Sequence, residues 1–180
     1  MRGYFGIGVE GLSKPMNAGN LFRSAQAFGA SFIFTIAGAY TRAALSDTGH
    51  APERLPLHEF PDVASLTLPA GCQLVGVELL DEATELPSFR HPLRAAYVLG
   101  RERGSLSPDL LARCQHVVRI PTRFCINVSV AGAIVMYDRL LNYGRFAERP
   151  MTTLAKPEPL APHVHGQPPR RERPAGAAVE

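Results

Sequence analysis

Four short runs in this chain are too apolar to leave either face of a strand in water. They are "YFGIGV" at residues 4–9, "SFIFTI" at 31–36, "QLVGVEL" at 73–79 and "AAYVL" at 95–99. None alternates regularly between apolar and polar side chains. A strand of that kind must be covered on both sides, which is the environment of a parallel sheet with helices on each face. The intervening segments supply those helices. Residues 18–28 place Leu21, Phe22, Ala25 and Phe28 at helical spacing. Ser107 caps a second helix that has Pro108 at its first position, a favourable start. Residues 117–120 read as a last strand and 128–143 as a long final helix. Residues 40–60 are polar and turn-rich, with Pro52 and Pro56, and a short helical segment is expected near Val63 to Leu66. The expected fold class is α/β, a mostly parallel sheet flanked by helices.

A hydrophobic content of 46% over 180 residues is enough for one real core. The domain is expected over residues 1–148. Beyond it, residues 149–180 hold seven of the sixteen prolines, the "RRER" run at 170–173 and almost no large apolar side chains. That composition reads as a tail, disordered or draped on a surface. No apolar run is long enough to span a membrane, and the N-terminus lacks the apolar core of a secretion signal. Cys72, Cys114 and Cys125 are odd in number and lack metal-type spacing, so free thiols in a reducing, cytoplasmic setting are expected. The pair His163 and His165 has no further ligands nearby, and no metal is expected. Of the 19 basic residues 17 are arginine. Genome composition accounts for such a bias; a need for guanidiniums on phosphate is the other explanation.

The front of the first helix is unusual. "NAGNLFRSAQAFGA" opens with Asn17, Gly19 and Asn20 and continues to Arg23, with no acid nearby. A helix N-terminus is electropositive, so a cation close to it is unfavourable unless an anion docks there. The neighbouring "GIGVEG" at 6–11 matches the dinucleotide-binding fingerprint, but that motif needs a helix opening inside it and an acid some way on for the ribose. Pro15 stands where that helix should be running, and residues 11–46 contain no Asp or Glu. A nicotinamide dinucleotide site is therefore excluded.

Two further polar tips stand on apolar elements. "YVLGRERGSLSPDLL" breaks from a strand into a loop with Gly100, Glu102 and Gly104, and glycines there permit close backbone approach to a ligand. "RIPTRFCINVSVAGAIVMYDRL" ends a strand at Pro121 and places Asn127 and Ser129 at the mouth of the last helix. Singly, the first is an ordinary strand-to-helix turn and the second a plain N-cap. Together they are three tips able to face one edge, and ligands of open parallel sheets sit beyond the carboxyl ends of the strands.

In this combination the chain resembles the SpoU, or TrmH-type, family of RNA methyltransferases within the SPOUT superfamily. The matching stretches are "NAGNLFRSAQAFG", with Asn17 and Arg23 six apart, "LGRERGSLS" with its Gly-x-Glu pattern, and "IP…NVSVAGAIVMYD". The resemblance covers roughly residues 4 to 143. It implies a C-terminal deep trefoil knot, a homodimer, S-adenosylmethionine as methyl donor, and methylation of a ribose 2′-hydroxyl in tRNA or rRNA. The catalytic positions it implies are Arg23, Asn17, Glu102 and Asn127. Arg23 would clamp the phosphate beside the target ribose, since arginine rarely loses a proton and is a poor base. Val77, Glu78, Gly100, Ile120, Cys125 and Ile126 would hold the adenine and methionine parts of the cofactor. Two departures from the family pattern stand out. Cys125 replaces a serine common at that place, and the loop before it is shorter than usual. Both favour an alternative, a catalytically degenerate relative acting as an RNA-binding assembly factor.

Overall fold

The apolar runs become the buried centre of a seven-stranded sheet whose pairings are all parallel. The computed structural model of the protein describes residues 3–12, 14–38, 54–101 and 104–144. All of these lie in one compact unit, Met1–Arg145. The strands are β1 (Tyr4–Glu10), β2 (Phe32–Ile36), β3 (Leu57–Phe60), β4 (Gln73–Val77), β5 (Thr84–Glu85), β6 (Arg94–Leu99) and β7 (His116–Arg119). Their order across the sheet is β3-β2-β1-β6-β4-β7-β5. Among the described residues the helices are α1 (Pro15–Ala27), α2 (Pro108–Arg113) and α3 (Val128–Tyr143), with a 3-10 turn at Leu86–Ser88.

Alternate residues of each central strand feed two separate cores. Ile7, Val9, Val75, Tyr97 and Val118 face α1 and α3, which bury Leu21, Phe22, Val135 and Met136 against them. Phe32, Phe34, Leu74, Ala96 and Val98 form the other core with Leu106 and Leu110 of the α2 region. The glycines of "GIGVEG" belong to this packing. A β-carbon on Gly6 would sit 2.2 Å from the Phe32 ring, and one on Gly8 would meet the Phe34 ring at 2.5 Å. Their absence lets two aromatic rings lie flat on β1. That is a steric role, and no phosphate loop forms there.

Helix α1 starts at Pro15, three residues earlier than the spacing of apolar positions suggests. Proline at the first helical position needs no N–H partner and has the right φ, so it opens the helix and does not exclude it. This corrects the use of Pro15 as a helix breaker. It also moves Arg23 more than two turns from the N-terminus, beyond the first turn in which the helix dipole acts. Arg23 is exposed on the body of α1, so the helix tip cannot account for its charge.

Two local expectations change as well. The polar stretch at 40–60 ends in a strand, β3, with the burial of an edge strand, and pairs with β2. Near Val63 to Leu66 there is a turn, not a helix: Asp62 Oδ1 accepts the Ser65 N–H at 2.8 Å, and Ser65 Oγ returns a bond to the Asp62 carbonyl at 2.8 Å. Asx and Ser side chains compete with helix formation through such bonds.

Helices α1 and α3 pack closely because α3 carries Gly132 at their crossing. A β-carbon there would lie 2.3 Å from Leu21 Cδ1. The consequence for the site is positional. The N-terminus of α3 is held beside the N-terminus of α1, at the carboxyl edge of the sheet.

Candidate functional site

One cleft gathers the carboxyl ends of three adjacent strands. Its walls are Val77, Glu78 and Leu79 after β4, Leu99, Gly100, Arg101 and Gly104 after β6, and Ile120, Thr122, Cys125, Ile126, Val128 and Ala131 from β7 into α3. All six residues singled out as cofactor contacts from sequence, Val77, Glu78, Gly100, Ile120, Cys125 and Ile126, line it. Sequence reasoning missed Arg101 and Thr122, which are polar and lie next to residues it did name.

The loop after β6 is held by two carboxylates. Glu78 accepts the Leu106 N–H through Oε2 at 2.7 Å and the Leu79 N–H through Oε1 at 3.0 Å. Glu10, buried at the end of β1, accepts the Ser107 N–H at 2.8 Å. Consecutive backbone donors are thus bound by acids from two different strands. A buried carboxylate is tolerated only with such partners, and removing it would leave an N–H unsatisfied. Glu78 therefore both lines the cleft and braces its wall. Gly100 leaves little spare room: a β-carbon there would sit 3.0 Å from Leu106 N and 3.3 Å from Glu78 Oε2.

The first and third motifs meet through two amides. Asn127 is the N-cap of α3, and its Oδ1 accepts the Ser129 N–H at 2.9 Å and the Ser129 hydroxyl at 2.6 Å. A backbone N–H can only donate, so the cap fixes which end of the Asn127 amide is oxygen. Its Nδ2 then donates to Asn17 Oδ1 at 3.2 Å. Asn127 is exposed and Asn17 half-buried. The N-cap role and the site role are thus carried by the same side chain. Arg23 stands exposed on α1, with an interaction of its own. Glu102 lies outside the described residues, as do His163, His165 and the stretch from 145 onward.

At the opposite edge of the sheet lies a buried polar network that sequence reasoning overlooked. His91 bonds to Tyr97 Oη through Nδ1 at 2.5 Å and to Asp138 Oδ2 through Nε2 at 2.8 Å. Arg139 donates to the Pro92, Leu93 and Tyr4 carbonyls and to Tyr97 Oη. Its guanidinium also lies over the rings of Phe5, Tyr97 and Tyr143. Burial pushes the Tyr97 hydroxyl up to about 12 and lowers His91 below its ordinary value, against the pull of Asp138. The signal was present: Arg139 continues the buried period of Val128, Ala131, Val135 and Met136, a charge on an apolar stripe. The network ties α3 to the starts of β1 and β6 and is far from the strand ends that build the cleft.

Among the described residues no group of three or more His, Cys, Asp and Glu is placed to hold a metal ion. No helix among them is long and apolar enough to cross a membrane.

The model of the SpoU rRNA Methylase family matches residues 5–137. The tRNA (guanosine(18)-2'-O)-methyltransferase TARBP1 of Mus musculus is 27% identical over an aligned stretch of 139 residues that covers 71% of this chain and 9% of that protein. The chain thus spans less than a tenth of that relative. An rRNA methyltransferase from Sinorhizobium meliloti shares the fold with a TM-score of 0.71 at 18% identity, over 79% of this chain and 59% of that one. The SpoU methyltransferase AviRb from Streptomyces viridochromogenes, in complex with the cofactor AdoMet, does so with a TM-score of 0.68 at 20% identity, over 78% of this chain and 61% of that one.

Proposed function

This chain belongs to the SpoU rRNA Methylase family, and from that premise we propose that it transfers a methyl group from S-adenosylmethionine to a ribose 2′-hydroxyl of tRNA or rRNA. The observation that carries the reading is convergence. Three strand ends form one cleft, and the Asn127 to Asn17 bond joins the entrance of α3 to that of α1. The donor set suits the cofactor. Val77, Leu99, Ile120, Ile126 and Val128 offer apolar walls for an adenine, while backbone groups of the strand ends suit its polar edge. The Glu78 carboxylate places negative charge in the wall of a cleft meant for a cation.

When bound, S-adenosylmethionine supplies the electrophilic sulfonium methyl. What remains for the protein is to hold the ribose in line with that methyl while the hydroxyl proton passes to solvent water. Arg23 clamps a phosphate flanking the ribose, a task suited to a planar guanidinium. Asn17, polarised by Asn127, orients the sugar. The family pattern gives Glu102 the task of orienting the reacting groups.

The path of the chain supports the trefoil knot that the family resemblance implies. β7 lies beyond β4, yet α3 packs on α1, so residues 120–127 cross back over the ends of β4 and β6. A homodimer is part of the same proposal. α3 is apolar on a second face, where Val130, Ile134, Tyr137 and Leu141 are all exposed, and a helix apolar on two faces calls for two partners. A second copy supplies the other.

The test is a map of ribose methylation across all RNAs in cells with and without this protein. Loss of one site, or a small set of related sites, is expected and names the substrate. An unchanged map refutes the proposal and leaves RNA binding without methylation.

A further inference from the structure

Phe124 is the most exposed large apolar side chain among the described residues, at 73%. It lies in the loop between β7 and α3, the loop that supplies Thr122, Cys125 and Ile126 to the cleft, but Phe124 itself is not in the cleft wall. The backbone beneath it is held in place. Thr122 Oγ1 donates to the Phe124 carbonyl at 2.9 Å, and the Thr122 N–H donates to the Ile120 carbonyl at 2.7 Å. The ring is thus presented to solvent from a fixed platform at the rim of the cleft. Arg123, beside it, is also exposed.

An aromatic ring held in water at the mouth of a site is placed to stack on a planar group that enters beside it. We infer that Phe124 is a stacking platform for a nucleobase at or next to the target nucleotide, with Arg123 on the adjoining phosphate. This rests on the methyltransferase reading and sharpens it. Bases offer their faces only where they are unstacked, so the substrate class is an RNA loop or single-stranded segment, not the interior of a duplex. An aromatic face tolerates every base, so Phe124 contributes affinity and position, and little choice of sequence.

The test compares Phe124→Ala, Phe124→Leu and Phe124→Tyr in the full chain, with a fluorescein-labelled 15-nucleotide polyuridine RNA as probe, single-stranded or annealed to polyadenosine. Fluorescence polarisation at moderately high salt suppresses purely electrostatic binding. For the single strand, Phe124→Ala and Phe124→Leu should weaken binding by about tenfold, the scale of one lost base stack, while Phe124→Tyr should stay close to wild type. Binding of the duplex should change in none of them. The affinity for S-adenosylmethionine by calorimetry, and the oligomeric state by sedimentation, should be unaltered. Wild-type affinity in Phe124→Leu would show that any apolar cover suffices and overturn stacking. A loss of cofactor affinity in Phe124→Ala would make the ring a lid on the cofactor, and a shift to monomer would make it part of an interface; either result overturns the inference. Because the probe is read by binding alone, failure here is distinct from absence of methyl transfer.

Discussion

Asn127 performs two tasks with one amide, and the two can be separated. Its oxygen caps α3 and its nitrogen faces Asn17. In Asn127→Asp the cap survives, because a carboxylate at a helix N-terminus accepts the Ser129 N–H as well as an amide does. The donor toward Asn17 is lost. Asn17 must then either face two oxygens or turn its own amide over, and both reverse the polarity that it presents. Asn127→Asp should therefore unfold at nearly the same denaturant concentration as wild type, whereas Asn127→Ala should lose about 1 kcal/mol with its cap. Both should be poor in methyl transfer, by about two to three orders of magnitude if Asn17 positions the reacting groups. Denaturant unfolding and single-turnover methylation of the mapped RNA check this. Full activity in Asn127→Asp would reduce the amide pair to a helix cap. Arg23 teaches a different lesson at this scale. The helix dipole does not reach it, because Pro15 opens α1 earlier, and what remains is an exposed guanidinium on the helix that also carries Asn17.

At the scale of the element, α3 is the piece on which both edges of the sheet depend. Its N-terminus joins the cleft, and its later turns carry Asp138 and Arg139 into the buried network around His91. Burial lowers the His91 pKa below its ordinary 6.5, with Asp138 opposing and Arg139 adding to the effect. The unfolded chain therefore takes up this proton first as the pH falls. Stability is unaffected by His91 above about pH 6.5 and declines below it, down to the lowered folded value. His91→Gln removes the titrating group. Urea midpoints at pH 7.5 and 5.5 should differ more for wild type than for His91→Gln. Equal losses in both would mean that His91 is not held neutral by burial. Sequence legibility varied along the same elements. The final helix was placed to the residue, since an apolar period of that length and an Asn cap leave little choice. β3 and β5 escaped notice because edge strands are short and half-polar. The His91 network escaped because its members are spread from Tyr4 to Tyr143 and meet only in the folded chain.

For the whole molecule, the all-parallel sheet follows from strands apolar on both faces, and the position of the cleft follows from the sheet. Three loops leaving the carboxyl ends of neighbouring strands have one place to meet. The polar tips after β6 and β7 were legible as such, while the six residues expected to hold the cofactor came from the family resemblance, and all six line the cleft. Glu10 was not legible, since its role is to hold Ser107 from a distance of 97 positions in the chain. The return of the chain from β7 to α3, which packs on α1, was beyond any reading of periodicity, because it depends on the strand order. The most direct test of the account is chemical. The protein is incubated with S-adenosylmethionine labelled in its methyl group and with total RNA from cells that lack the protein, and the RNA is then digested to nucleosides and analysed by mass spectrometry. The account predicts label in a 2′-O-methylnucleoside and none in a methylated base. Label on a base, or RNA that remains unlabelled while the cofactor binds, would contradict it.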